Sequence, residues 1–235
     1  MRTLGARKVR ITGGEPLLRK DIHHLVRQLS SMDMEVALTT NGSLLENNAA
    51  DLAESGLSRV TISLDAIDQE VHSKITDSKV SVTDILDGIS AAIRYELGPV
   101  KLNCVVQRGV NEHQVPKLVR KFRGTGVIVR FIEFMDVGST NGWTQGQVVP
   151  TSEIIDFLSS EFDLIPLARK SASDVASRWA HSDDSGEIGF ISSVSQPFCG
   201  DCVRARLSSD GKFFTCLFTT TCLLYTSPSP RDGIG

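Results

Sequence analysis

Short β-branched runs alternate with amphipathic stretches through the first half of the chain. Residues 8–12 (KVRIT) predict a strand, and 21–30 a helix with Ile22, Leu25, Val26 and Leu29 on one face. The same alternation continues with a strand over 36–39, a helix over 44–54, a strand over 59–64 (RVTISL) and a helix over 84–95. It ends with a strand over 100–106 (VKLNCVV), a helix over 114–122 and a strand over 127–134 (VIVRFIEF). Strand and helix in strict turn imply an α/β fold with parallel strands and helical crossovers, which the pattern alone leaves as either a barrel or an open sheet.

Polar and glycine residues fall just after the strands: Gly13-Gly14-Glu15, Thr39-Thr40-Asn41-Gly42, Ser63-Leu64-Asp65 and Met135-Asp136. Parallel α/β folds bind ligands at strand C-termini, so this placement points to a site there. Around 138–150 the chain turns Gly-, Asn- and Gln-rich, as functional or irregular loops do. A domain boundary is expected near 150, giving units at 1–150 and 151–218. In the second, Thr151 is expected to cap a helix over 152–160, with antiparallel strands over 178–181 and 187–191. The stretch 219–235 (TTTCLLYTSPSPRDGIG) lacks either period, is rich in Ser, Thr and Pro, and is expected to be irregular. It resembles sequencing-adapter read-through.

Composition narrows the class without choosing a function. The chain has 235 residues, enough to bury a sizeable core, and a net charge of −3 gives no global case for nucleic-acid or membrane binding. No apolar run reaches the ~20 residues that span a bilayer, and the first residues do not read as a signal peptide. Five cysteines, four of them crowded near the C-terminus, fit metal or cluster ligation in a reducing compartment better than a disulfide framework.

The spacing C-x2-C-x13-C over Cys199, Cys202 and Cys216 brings three thiolates to one point, which suits zinc or an iron–sulfur cluster. Cys222 would complete a closed four-thiolate zinc site, and spacing does not decide between the two. Arg204 and Arg206 stand two apart, hence on one face of an expected strand, where two guanidinium forks suit a polyphosphate. Arg10 within a strand is costly unless it is paired or meets an anion. Lys101 opens a strand, Thr39 and Ser63 offer hydroxyls near strand ends, and Met135 offers a soft apolar contact. The second glycine of the GGEP turn, Gly14, lets a ligand approach the backbone.

The segments KVRITGGEPLLRKD, LTTNG, RVTISLDA, VKLNCVV, FIEFMDVGSTNGW and GEIGFISSVSQPFCGDCVRARLSSDGKFFTCLF together resemble the GTP 3′,8-cyclases. These are the molybdenum-cofactor biosynthesis protein A family of the radical S-adenosylmethionine enzymes. The resemblance runs from about residue 6 to Phe218. It implies a partial (βα)6 barrel lacking its first strand, with a C-terminal α+β domain carrying a 4Fe–4S cluster on Cys199, Cys202 and Cys216. It places GTP contacts on Arg10, Thr39, Lys101, Arg204 and Arg206, and S-adenosylmethionine contacts on Gly14, Ser63 and Met135.

The implied activity is conversion of GTP to 3′,8-cyclo-7,8-dihydro-GTP, a lyase reaction whose product passes to cyclic pyranopterin monophosphate synthase. The resemblance also implies a cytoplasmic location, or a mitochondrial one in a eukaryote, and allows a homodimer. The family's N-terminal cluster motif, C-x3-C-x2-C, has no counterpart, since no cysteine precedes Cys104. The chain therefore reads as a piece of a longer gene that would not turn over GTP by itself. Two other readings stay open: a zinc module without catalysis, and a radical enzyme whose auxiliary cluster serves another substrate.

Overall fold

The structure, a computed structural model, describes residues 5–136, 142–169, 171, 174–197, 202–216 and 224–225. Five strands, β1 (Lys8–Ile11), β2 (Glu35–Thr40), β3 (Arg59–Ser63), β4 (Lys101–Val106) and β5 (Ile128–Glu133), lie side by side and parallel. Helices α1 (Ile22–Ser31), α2 (Ala49–Glu54), α3 (Gln69–Thr76), α4 (Val82–Arg94) and α5 (Val115–Phe122) make the crossovers. After α6 (Thr151–Ser159) come β6 (Leu164–Leu167), β7 (Ser177–His181) and β8 (Glu187–Ile191). β8 pairs parallel with β5, and β7 and β6 follow antiparallel, so one eight-stranded sheet in the order β1-β2-β3-β4-β5-β8-β7-β6 crosses residue 150.

Every central strand alternates. Val36, Leu38, Val60, Ile62, Leu102, Cys104, Val129, Phe131, Ile188 and Phe190 turn to one face and are buried. There they join Ile22, Val26, Leu52, Ile85, Ile89 and Leu118 from the helices in a single core. Sheets covered on both faces carry continuous apolar strands. Here the opposite face is polar, and that asymmetry creates the room for a site.

Close packing of helix on sheet depends on two glycines. Gly42 sits at φ +85, in the left-handed region, with Ile62 and Ile85 against its Cα. A Cβ at Gly88 of α4 would overlap the Gly42 carbonyl oxygen, so this helix rests directly on the loop that ends β2.

Several expected elements differ. The helix expected over 44–54 is helical only from Ala49, because the Asn48 side chain donates to the Leu44 carbonyl (2.7 Å) and holds the preceding residues in turns. α3 was not anticipated, although Asp68 caps it by accepting from the Glu70 and Val71 amides. Thr151 is the first helical residue rather than the cap; its amide donates to Glu133 (2.8 Å). Short strands β9 (Arg206–Leu207), β10 (Lys212–Phe214) and β11 (Leu224–Tyr225) form a separate antiparallel sheet. β11 falls within the stretch expected to be irregular; the rest of 219–235 lies outside the described residues.

Candidate active site on the inner face of the sheet

In a parallel sheet, residues in register share a face, so the polar positions line up in rows. The row nearest the strand N-termini holds Lys8 and Glu35, and the next holds Arg10 and Arg59 on either side of Ala37. Thr39, Thr61 and Lys101 form the third row, and Ser63, Asn103 and Arg130 the fourth. Five cationic side chains from β1, β3, β4 and β5 thus face one side with Glu35 beside them, and the Arg178–Glu187 pair of β7 and β8 (2.7 Å) extends the same face.

The carboxylate is spent at one end. Glu35 pairs with Lys8 (3.2 Å) and with Arg59. Arg10 instead leans toward the third row, where its Nη1 donates to Thr39 Oγ1 and Thr61 Oγ1, both at 2.9 Å. Arg130 Nη2 donates to Asn103 Oδ1 (2.6 Å), and its buried Nε has no hydrogen-bond partner among the described residues. Gly189 lies opposite, and a Cβ there would press on Arg130 Cγ at 2.9 Å, so the glycine leaves space for this side chain.

Arg10, Lys101 and Arg130 make no ion pair among the described residues. Burial, followed by the charges of Arg130, Arg59, Lys8 and Arg10, lowers Lys101 to about 8. Burial and then Arg10 lower Arg130 to about 10. A multivalent anion would relieve such mutual repulsion.

The loops at the strand ends are braced. Glu15 accepts from the Leu17 amide (2.9 Å), the Thr40 hydroxyl (2.7 Å) and the Asn41 amide (2.7 Å), tying the GGEP turn to the TTNG turn. Gly14 is exposed with open space where a Cβ would be. Ser63 ends β3, and Met135 lies two residues past β5, both half-buried. Asp65 accepts from the Val105 amide (2.7 Å), yet burial raises it to about 6. Cys104 is fully buried and its thiol is pushed up, first by burial and then by Asp65, which favours the neutral thiol.

Glu133, at the end of β5, is a buried hub. Its carboxylate accepts from the amides of Thr151 (2.8 Å), Val194 (2.8 Å) and Ser195 (2.7 Å) and from the Ser195 hydroxyl (2.5 Å). Burial alone would raise its pKa; the bonds from Ser195, Thr151 and Val194 outweigh this and hold it below the ordinary value. It fixes the segment that leads into the cysteine motif.

Of the cysteine motif, Cys202 and Cys216 are exposed, while Cys199 and Cys222 lie outside the described residues. Arg204 Nε and Nη2 both stand 3.3 Å from Cys202 Sγ. The Arg204 main chain and then its guanidinium lower the Cys202 pKa, favouring the thiolate, the form that binds metal. Arg204 therefore lies outside any strand and turns to the thiol, whereas Arg206 is in β9, with a buried Nη1 that has no hydrogen-bond partner among the described residues. No group of three metal-binding side chains occurs among the described residues.

Sequence reasoning picked out Arg10, Thr39 and Lys101, and the structure joins the first two directly. It passed over Lys8, Arg59, Thr61, Asn103, Arg130 and Glu133. The first five could have been found by their alternation with apolar residues in strands that are parallel.

A largely parallel sheet with helices on one face and a row of charged and hydroxyl side chains on the other defines the class, an α/β protein with a ligand site on the sheet. Among solved structures, the fold is similar to Streptococcus suis SuiB (TM-score 0.60, 14% identity, 89% of this chain and 50% of that one). It is also similar to a radical SAM methyltransferase from Sphaerobacter thermophilus (TM-score 0.51, 22% identity, 67% and 49%). Residues 2–122 match the family model of the Radical SAM superfamily, and 127–225 match Molybdenum Cofactor Synthesis C. The two models meet ahead of the boundary expected near 150.

A GTP 3′,8-cyclase from Xanthomonas axonopodis pv. citri is 47% identical over 93% of this chain and 66% of its own length. Others are those of Staphylococcus haemolyticus (45%, 92% and 64%) and Staphylococcus carnosus (44%, 98% and 68%). The chain belongs to the radical SAM superfamily and, within it, to the GTP 3′,8-cyclase family. It spans about two thirds of the length of the curated relatives it matches.

Proposed function

We propose that the protein to which this chain belongs is a GTP 3′,8-cyclase, a lyase of molybdenum-cofactor biosynthesis, and that the inner face of the sheet receives the triphosphate of GTP. The observation that carries this is the set Arg10, Lys101 and Arg130, three cations on one face that no carboxylate among the described residues pairs with. Thr39 and Thr61 hold the Arg10 guanidinium in place, and Asn103 holds that of Arg130.

The superfamily implies a 4Fe–4S cluster and S-adenosylmethionine, which together supply a 5′-deoxyadenosyl radical when bound. Gly14, Ser63 and Met135 are assigned to S-adenosylmethionine; their support is position, at the strand ends on the same side as the braced GGEP loop. Cys199, Cys202 and Cys216 are assigned to a second cluster, with the lowered pKa of Cys202 beside Arg204 as the support. Arg204 and Arg206 are assigned to GTP beside it. In this reading the chain's residues bind and orient the nucleotide, and the cofactors carry the bond-making. Residues 1–150 and 151–218 remain the proposed barrel and cluster units, although one sheet serves both. No helix among the described residues is long and apolar enough to cross a membrane. A cytoplasmic site of action and transfer of product to cyclic pyranopterin monophosphate synthase complete the proposal.

Calorimetric titration of GTP into the chain and its Lys101→Met and Arg130→Met variants tests it. Each substitution removes charge-assisted bonds to phosphate of about 1.5–3 kcal/mol, so each should weaken binding about 10- to 100-fold. Unchanged affinity in both variants would overturn the assignment of this face.

A further inference from the structure

Among the described residues Glu35 is the carboxylate at the N-terminal end of the cationic rows, and Glu187, which shares the face from β8, is paired with Arg178 at 2.7 Å. Glu35 engages Lys8 and Arg59, and Arg10, Lys101 and Arg130 have no ion pair among the described residues. Arg10 and Glu35 are one row apart, about 6.6 Å at roughly 3.3 Å per residue, yet Arg10 turns away to the threonine hydroxyls of the third row. The face is thus graded along the strands. Free positive charge fills its middle, and a neutralised, carboxylate-bearing row closes it.

We propose that Glu35 is a specificity-determining residue that ends the anion path and limits it to a triphosphate. This rests on the reading of the face as the triphosphate site. A chain of phosphates lying against Arg10, Lys101 and Arg130 and running toward the strand N-termini meets Glu35 next. An additional phosphate would bring its negative charge against the carboxylate and find Lys8 and Arg59 already engaged, a repulsive element that rejects the longer ligand. A diphosphate would leave some of the central cations without a partner.

The test compares GTP with guanosine 5′-tetraphosphate by calorimetry, on the wild-type chain, Glu35→Gln and Glu35→Lys. The side chain is half-exposed, so both variants are compatible with the fold, and circular dichroism verifies this. The expected result is a preference for GTP in the wild type. Glu35→Gln should strengthen the tetraphosphate at least fivefold more than it strengthens GTP, and Glu35→Lys should extend the shift. Equal gains for both nucleotides would reduce Glu35 to a general charge effect and overturn the proposal, as would no gain for either. A wild-type chain that binds neither nucleotide defeats the triphosphate reading itself. One that binds GTP with an unmoved preference in both variants defeats only the role of Glu35.

Discussion

Replacing Glu133 by glutamine probes the hub that joins β5, α6 and the 192–195 segment. The residue is fully buried (0% exposed), and each carboxylate oxygen accepts two hydrogen bonds: Oε1 from the Thr151 amide and Ser195 hydroxyl, Oε2 from the Val194 and Ser195 amides. Glutamine has the same shape but one oxygen, so whichever way it turns, its NH2 confronts two donors. Losing a buried acceptor costs about 1–3 kcal/mol per bond, and the Ser195 hydroxyl can rotate to relieve one contact. A net loss of about 3 kcal/mol follows. For a chain of this size that lowers Tm by about 6–12 °C. Urea unfolding at pH 7, followed by circular dichroism, should show the midpoint falling with little change in slope. A loss below about 1 kcal/mol would refute the claim that the carboxylate holds this corner together. The acid limb gives a second check. The folded-state pKa lies below the unfolded value, so the stabilisation is complete above about 4.3 and disappears as pH falls through the folded pKa. The wild-type and Glu133→Gln curves should converge there.

Three further outcomes are expected. Lys101 at about 8 must be protonated to hold phosphate, so GTP binding should take up protons and its affinity should fall as pH rises through 8; calorimetry in buffers of different ionisation heat reads the uptake, which Lys101→Met should diminish. Gly88→Ala forces a methyl onto the Gly42 carbonyl and should cost about 1–3 kcal/mol in thermal unfolding, where an unchanged Tm would show that α4 can move away. Anaerobic reconstitution followed by metal and sulfide analysis should find iron with sulfide, retained in Cys222→Ala, and a single zinc lost in that variant would favour the structural-metal alternative.

Most of the sheet was readable because parallel strands separated by helices impose two distinct periods, and β1 to β5 appear near where those periods put them, while β7 and β8 appear as the expected antiparallel pair. α3 escaped because its eight residues carry a weak apolar stripe, and its signal is the Asp68 cap alone. The helix over 44–54 was overextended because apolar spacing does not register the competition of Asn48 with the backbone. Within the site, Arg10 was visible as a lone charge in a strand, and Thr39 as a hydroxyl near a strand end. Arg130 was hidden in VIVRFIEF, where it reads as one interruption of an apolar run. Its role depends on Gly189, a neighbour 59 positions away that only the β5–β8 pairing supplies. Glu133 was illegible for the same reason: its partners at 151, 194 and 195 arrive through tertiary packing, not local pattern.

The account turns on a polyanion seated on the inner face, and titrating the chain with GTP, GDP and guanosine at one pH and ionic strength tests that most directly. Affinity should fall stepwise with each phosphate removed, with guanosine at least about a hundredfold weaker than GTP, as expected when several charge-assisted bonds are lost. Equal binding of all three, or none of GTP, would contradict it.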